Sequence, residues 1–291
     1  MKRSFFLIIL MFLSAQLLFG QSAVEKDPAA GQAYNEGNNF VKKQKYNEAV
    51  NKYLEAIKAD NNFPQAYYML GYAYKKTGQY DKAENSYRQA IKLDSQFEKA
   101  YIALAYLQSA LQKDADAMNT YKAVLAFNET SSEANFGLGK LLFDQKENRD
   151  AVRYLEKSVK SDPTYSLGFN VLGLAYQNLR EFDKSVDAFE NAIKTEKKRI
   201  KQGDYYYRLG VVYLAMKKYN QAEEALNTAV GLSTSSTIKA GANFNLAEVY
   251  KGTGQTQKAI QYYKMAASDR SWKQAAEYEI EILTNPDKYS Y

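Results

Sequence analysis

Tyr67-Tyr68-Met69-Leu70-Gly71-Tyr72-Ala73-Tyr74, then Gly78-Gln79, then Tyr80-Asp81-Lys82-Ala83, is the stretch that decides how this 291-residue chain folds. The first run is apolar at helical spacing. Gly78-Gln79 interrupts it, and the second run opens another helix that continues through Tyr87, Ala90 and Ile91 to Asp94-Ser95. The pattern predicts two amphipathic helices folded back as a hairpin. Gly71 and Ala83 are small where the two helices cross, because larger side chains would push the axes apart. Tyr87 is expected to fill the space between its own hairpin and the next.

The same features recur outward from this stretch. A small residue early in each second helix falls at Ala49, Ala83, Ala117, Ala151, Ser185, Ala222 and Ala259, spaced 34, 34, 34, 34, 37 and 37. Gly37, Gly71, Ala105, Gly139, Gly173, Gly210 and Ala247 keep those intervals. So do Tyr53, Tyr87, Tyr121, Leu155, Phe189, Leu226 and Tyr263. Three ladders in register imply an all-α chain of seven hairpins, at 30–63, 64–97, 98–131, 132–165, 166–199, 203–236 and 240–273. The last two intervals are longer by three residues, nearly one helical turn. The first extra stretch, ending in Lys197-Lys198-Arg199-Ile200-Lys201, predicts a longer second helix. The other, Gly231 to Thr237, reads as a loop. Residues 274–291 read as an amphipathic capping helix, Gln274 to Leu283, and a frayed tail.

A large residue, then Leu-Gly, then Tyr, then Ala, then an aromatic, at a period of 34, resembles the tetratricopeptide repeat. The second unit carries the pattern at Tyr67, Leu70, Gly71, Tyr74, Gly78, Tyr80, Ala83, Tyr87 and Ala90. The fifth carries it at Phe169, Leu172, Gly173, Tyr176, Phe182 and Phe189, and the sixth at Leu209, Gly210, Tyr213, Tyr219 and Ala222. The third departs from it with Gln108 in place of Tyr, and the fourth with Asn135 in the opening large position. The resemblance implies a right-handed superhelical solenoid. It also implies a concave groove, lined by the first helices, that holds a partner protein or an extended peptide.

Composition narrows the chemistry. There is no His and no Cys. That leaves no thiol nucleophile, imidazole base or zinc site of the usual ligands, so no nucleophile–base pair can be assembled. No catalytic residue, metal or cofactor is expected, and no disulfide. The formal charge of +6 includes Lys2 and Arg3, and the remainder is only mildly basic and well mixed. Such a balance does not call for nucleic acid or an anionic membrane.

Lys2 and Arg3 precede an apolar run from Phe5 to Phe19, broken only by Ser14 and Gln16, and Gly20-Gln21-Ser22-Ala23 follows. This is the three-part pattern of a secretory signal peptide, 1–22, ahead of a linker, 23–29. The apolar run is shorter than the roughly 20 residues that span a bilayer. The expectation is an exported protein of the periplasm or cell envelope, with no integral span after cleavage. An uncleaved anchor is the alternative, and without Cys the lipoprotein route is closed.

Carried over position by position, the resemblance implies a partner-binding groove lined by Tyr34, Asn38, Tyr68, Tyr72, Lys75, Lys99, Tyr106, Phe136, Lys140 and Tyr207. Ile102, Phe143, Asn170, Leu174, Gln177, Val211, Leu214, Phe244, Glu248 and Lys251 complete it. Tyr offers large apolar area, a hydrogen-bonding tip and little rotamer entropy to lose. The alternative for the tyrosines is simple packing against neighbouring helices. The clamp with which some family members grip the C-terminal carboxylate of chaperones is incomplete. Asn38 and Lys99 match it, but Tyr34, Met69 and Ala103 stand at its other positions.

A glycan-binding module, stacking sugars on the aromatic groove, is the rival function, and self-association through exposed repeat ends is another. Gly137-Leu138-Gly139-Lys140 lacks the earlier glycine and the Ser or Thr of a phosphate loop. The Lys197–Lys201 run could touch phosphate or acidic lipid, but reads first as a solvated helix end.

Overall fold

The computed structural model describes residues 27–288. The segment read as a signal peptide lies outside the described residues. Among them are fifteen α-helices, and no strand. The first five are α1 Pro28–Lys42, α2 Tyr46–Ala59, α3 Pro64–Lys76, α4 Tyr80–Leu93 and α5 Glu98–Ala110. Then come α6 Asp114–Phe127, α7 Ser132–Asp144, α8 Asn148–Ser161, α9 Ser166–Asn178 and α10 Phe182–Thr195. The last are α11 Arg199–Ala215, α12 Tyr219–Leu232, α13 Ser236–Gly252, α14 Thr256–Ala266 and α15 Lys273–Thr284. They form seven successive pairs, α1–α2 to α13–α14, with α15 left over. The chain divides into two compact units, Met1–Ala103 and Leu104–Tyr291, the division falling inside α5.

In the first unit the glycine and aromatic ladders turn out to be one contact. The Tyr53 ring presses on Gly37 and the Tyr87 ring on Gly71. A Cβ added at Gly71 would lie 2.7 Å from the Tyr87 ring and 3.1 Å from the Ala83 carbonyl oxygen. Tyr53 and Tyr87 are 0% and 1% exposed. Burial of each such ring stabilises the fold by about 2–3 kcal/mol, and the glycine is what lets it in.

The second unit repeats this arrangement with Leu155 on Gly139, Phe189 on Gly173 and Leu226 on Gly210. Its later hairpins are also tied to one another by polar bonds. The Tyr176 hydroxyl donates to Glu156 on the second helix of the hairpin before, Tyr213 to Glu190 at 3.0 Å, and Tyr250 to Glu223 at 2.6 Å. Hydrogen bonds to carboxylates are among the stronger ones, and these three lock register between neighbours.

The hairpin turns share one backbone device. Gln44, Gly78, Gln112, Lys146, Arg180, Lys217 and Gly254 all have φ between 57° and 76°. Each closes the end of its first helix, as where Gln79 N donates to Tyr74 O at 2.9 Å and Lys113 N to Gln108 O at 2.9 Å. The turns between repeats use a side chain. The Asp60, Asp94 and Asp162 carboxylates accept from the backbone N–H two residues on, at 2.9, 3.0 and 2.9 Å.

The two longer repeats differ from expectation. α10 has the ordinary 14 residues, and the extra turn lengthens α11, the next first helix, to 17. The reason lies at Glu196, whose carboxylate accepts from Lys198 N at 2.9 Å, while Gln202 Nε2 donates to the carbonyls of Ile193 and Glu196. Those bonds end α10 and start α11 before the register is used up. The expected loop from Gly231 to Thr237 is likewise mostly helical, with only 233–235 outside α12 and α13. Ser235 caps the 17-residue α13 by accepting from Ile238 N at 3.3 Å. Gly203 makes room for this arrangement, since a Cβ there would lie 2.8 Å from Ser233 N.

The last helix covers the end of the array. α15 buries Ala276 and packs Ile280 and Leu283 onto the cluster around Leu246, Tyr250 and Tyr263. Lys251 reaches Glu279 at 2.6 Å across the same seam. Among the described residues no helix is long and apolar enough to cross a membrane.

Candidate functional site

The first helices carry every residue expected to line a groove, and each unit is taken by itself. In the first unit the tyrosines three positions before the ladder glycine are built into the wall. Tyr34 lies 5.8 Å from Tyr53 and 5.0 Å from Phe63, centroid to centroid. Tyr68 lies 5.9 Å from Tyr87 and 5.4 Å from Phe97. Asn38 Oδ1 accepts the Tyr53 hydroxyl at 2.8 Å. These side chains hold the hairpins together, which is the packing alternative weighed above. Tyr72 stands edge-on to Tyr46 at 6.3 Å with the Lys76 ammonium 5.5 Å from its centroid. Lys75 is half-buried, and that burial lowers its ammonium from the ordinary value. Lys99 is exposed on the first turn of α5.

In the second unit the predicted residues converge. Tyr106 is 38% exposed and stands edge-on to Tyr121 at 5.9 Å. Phe136 is buried, with its ring 4.9 Å from Tyr165 in an edge-to-face pair. Lys140 pairs with Asp144 at 2.5 Å. Together with Tyr121, Gly137 and Ser109 these residues line a cavity of about 260 Å³. Burial raises the hydroxyls of Tyr106, Tyr121 and Tyr165. The site is therefore an aromatic notch with neutral phenols inside and a lysine–carboxylate pair on its rim. It suits one apolar or aromatic side chain flanked by peptide backbone.

The notch arises where the repeat departs from its pattern. Ala105 stands at the ladder position that is glycine in five of the repeats, as Ala247 does in the seventh, and is fully buried. The Tyr121 ring is seated instead against Gly137 of α7, so tightly that a Cβ there would fall within it. Gln108 stands where other repeats have Tyr74, Tyr176 and Tyr213, and is buried at 1% exposure, accepting from Thr120 Oγ1 at 2.7 Å. The glycines of Gly137-Leu138-Gly139 thus serve ring and side-chain packing inside α7.

Tyr207 does not join this cavity. It packs on Gly241 within the C-terminal core. Ile102 is buried at 5% exposure, Glu248 accepts the Tyr263 hydroxyl, and Lys251 is held by Glu279. Sequence reading missed Tyr121, Tyr165 and Asp144 as members of the site. Ala105 beside Gly137 was the available signal.

Known proteins agree with this architecture. A family model described as tetratricopeptide repeat matches residues 64–97, 132–165, 168–199, 203–235 and 240–268. Another, described as TPR repeat, matches 37–78. They cover more than half of the chain, which belongs to the tetratricopeptide repeat family. Neither model matches 98–131, the repeat that carries Ala105, Gln108 and Tyr121.

Among relatives, protein bimA of Emericella nidulans is 27% identical over 94 residues, 32% of this chain and 11% of its own length. The chain thus spans only a small part of that relative. The C-terminal part of a TPR repeat-containing protein from Cytophaga hutchinsonii has a TM-score of 0.65 at 16% identity, over 83% of this chain and 98% of that one. YrrB, described as a TPR protein with an unusual peptide-binding site, has a TM-score of 0.53 at 18% identity, over 64% and 94%. At these identities the two structures speak to the fold.

Proposed function

We propose that this chain is a non-catalytic adaptor that holds a segment of a partner protein against the first helices, with the Tyr106 notch as its anchor site. The observation that carries the reading is the cavity of about 260 Å³ lined by Tyr106, Tyr121, Phe136 and Lys140. A rigid, partly exposed tyrosine beside an enclosed aromatic floor is the composition of a binding hot spot. The peptide-binding site for which YrrB is described supports the same kind of ligand. The absence of His and Cys argues against catalysis. Lys2, Arg3 and the apolar run after them support export to the cell envelope.

Photo-crosslinking tests the site. p-Benzoylphenylalanine placed at position 106 should capture a discrete partner in cells. The same probe at position 80, a tyrosine that is 45% exposed on α4, should not. Equal capture from both positions, or capture from 80 alone, contradicts the assignment. Mass spectrometry of the envelope fraction tests export, and a mature chain starting at Ala23 is expected. A cytoplasmic chain retaining Met1 contradicts it.

A further inference from the structure

One edge of the second unit carries a charge cluster that the groove does not use. Lys194, Lys197, Lys198, Arg199 and Lys201 fall within eight residues, against the single carboxylate of Glu196. All five cations are exposed, and among the described residues none of them forms an ion pair. Glu196 is turned inward, accepting from Lys198 N at 2.9 Å and from the Ser166 hydroxyl at 3.1 Å.

In the middle of these charges stands Ile200, 58% exposed, more than any other large apolar side chain of the described residues. A second exposed aliphatic lies on the same edge. The Ser166–Glu196 bond brings the start of α9 to this turn, and Leu167, next to Ser166, is 43% exposed. Ile200 is four residues before Asp204 on α11, so both share one helix face. Asp204 is the repeat equivalent of Leu167 on α9, which puts the two aliphatics on the same side of neighbouring first helices. Lys157 and Lys160 stand near the end of α8, lining a surface cavity of about 470 Å³ with Glu129, Thr130 and Ser161.

We infer that this edge docks on an anionic lipid surface, with the cations against headgroups and Ile200 and Leu167 entering the acyl boundary. A bilayer interface accepts cations and aliphatic side chains together. A single-stranded nucleic acid would be met by exposed aromatics for base stacking, and the Lys194–Lys201 segment has none. The extra turn of α11 carries Ile200 and its basic neighbours. This surface is separate from the Tyr106 notch, so either assignment can fail without the other.

The test is sedimentation of the full mature chain with phosphatidylcholine vesicles, with and without phosphatidylglycerol, at low and high salt. Binding is expected only to the anionic vesicles, and weaker at high salt. The combined variant Lys197→Gln, Lys198→Gln, Arg199→Gln and Lys201→Gln should lose on the order of 100-fold in partitioning. Ile200→Ser should lose about tenfold. Lys217→Gln with Lys218→Gln, at the other end of α11, should change binding by less than about twofold per charge. All these positions are exposed, and unchanged thermal melting will show that the fold is kept. Equal binding to neutral vesicles, no loss in the fourfold variant, or tighter retention of a DNA oligonucleotide than of anionic vesicles overturns the inference.

Discussion

The hairpins α3–α4 and α5–α6 are consecutive and have the same length, yet they treat their aromatic residue differently. In α3–α4 the Tyr87 ring lies on Gly71, four residues from Ala83, and is 1% exposed. In α5–α6 the small position holds Ala105, and Tyr121 is seated on Gly137 with a cavity beside it. The first hairpin matches the family models and the second does not. Regular repeats explain how the chain folds. The irregular repeat is where a cavity lies beside the ring.

Substitutions can break this comparison, the largest effect first. Tyr87→Ala removes a buried ring from a closed contact and should destabilise the array by about 3–5 kcal/mol in chemical denaturation. Gly137→Ala drives a methyl into the Tyr121 ring and should destabilise by about 1–3 kcal/mol while abolishing the notch. A neutral effect of Gly137→Ala would show that Tyr121 has another place to go. Gln112→Gly acts on the αL turn residue, at φ 60°, and should stabilise by about 1 kcal/mol.

The packed tyrosines also predict a pH dependence. Burial raises the Tyr53, Tyr87, Tyr121 and Tyr263 hydroxyls from their ordinary 10.0. Burial and the bond to Glu190 push Tyr213 up to about 12. The folded state therefore favours the neutral phenol. Its contribution is complete below pH 10 and is lost as pH rises toward about 12 and beyond, where the unfolded chain gives up protons that the folded one keeps. Melting temperatures measured upward from pH 9 should fall steadily, with no matching loss between about pH 6 and 9.

Much of the fold was legible because small and aromatic residues recur at intervals of 34 and 37. The turns were legible only in part. Gly78 and Gly254 announce a left-handed turn, but Gln44, Gln112, Lys146, Arg180 and Lys217 adopt the same φ without the residue that signals it. Their conformation is imposed by the helices on either side. The position of the extra residues was misread for a similar reason. Glu196, Gln202 and Ser235 end or start helices through side-chain bonds that no periodicity shows.

The candidate site was half legible. Tyr106, Phe136 and Lys140 follow from the repeat register, whereas Tyr34, Tyr68 and Tyr207, which share the register position of Phe136, pack against other residues. Phe136 meets Tyr165 as Tyr68 meets Phe97, so register alone does not tell which of these rings borders a cavity.

The third repeat as anchor for a partner is tested most directly by titrating the crosslinked partner segment into wild-type, Tyr106→Ala and Tyr80→Ala proteins by calorimetry. Tyr106→Ala should bind at least about tenfold more weakly at an unchanged melting temperature, and Tyr80→Ala should bind like wild type. Unchanged affinity in Tyr106→Ala, or an equal loss in both variants, would contradict it.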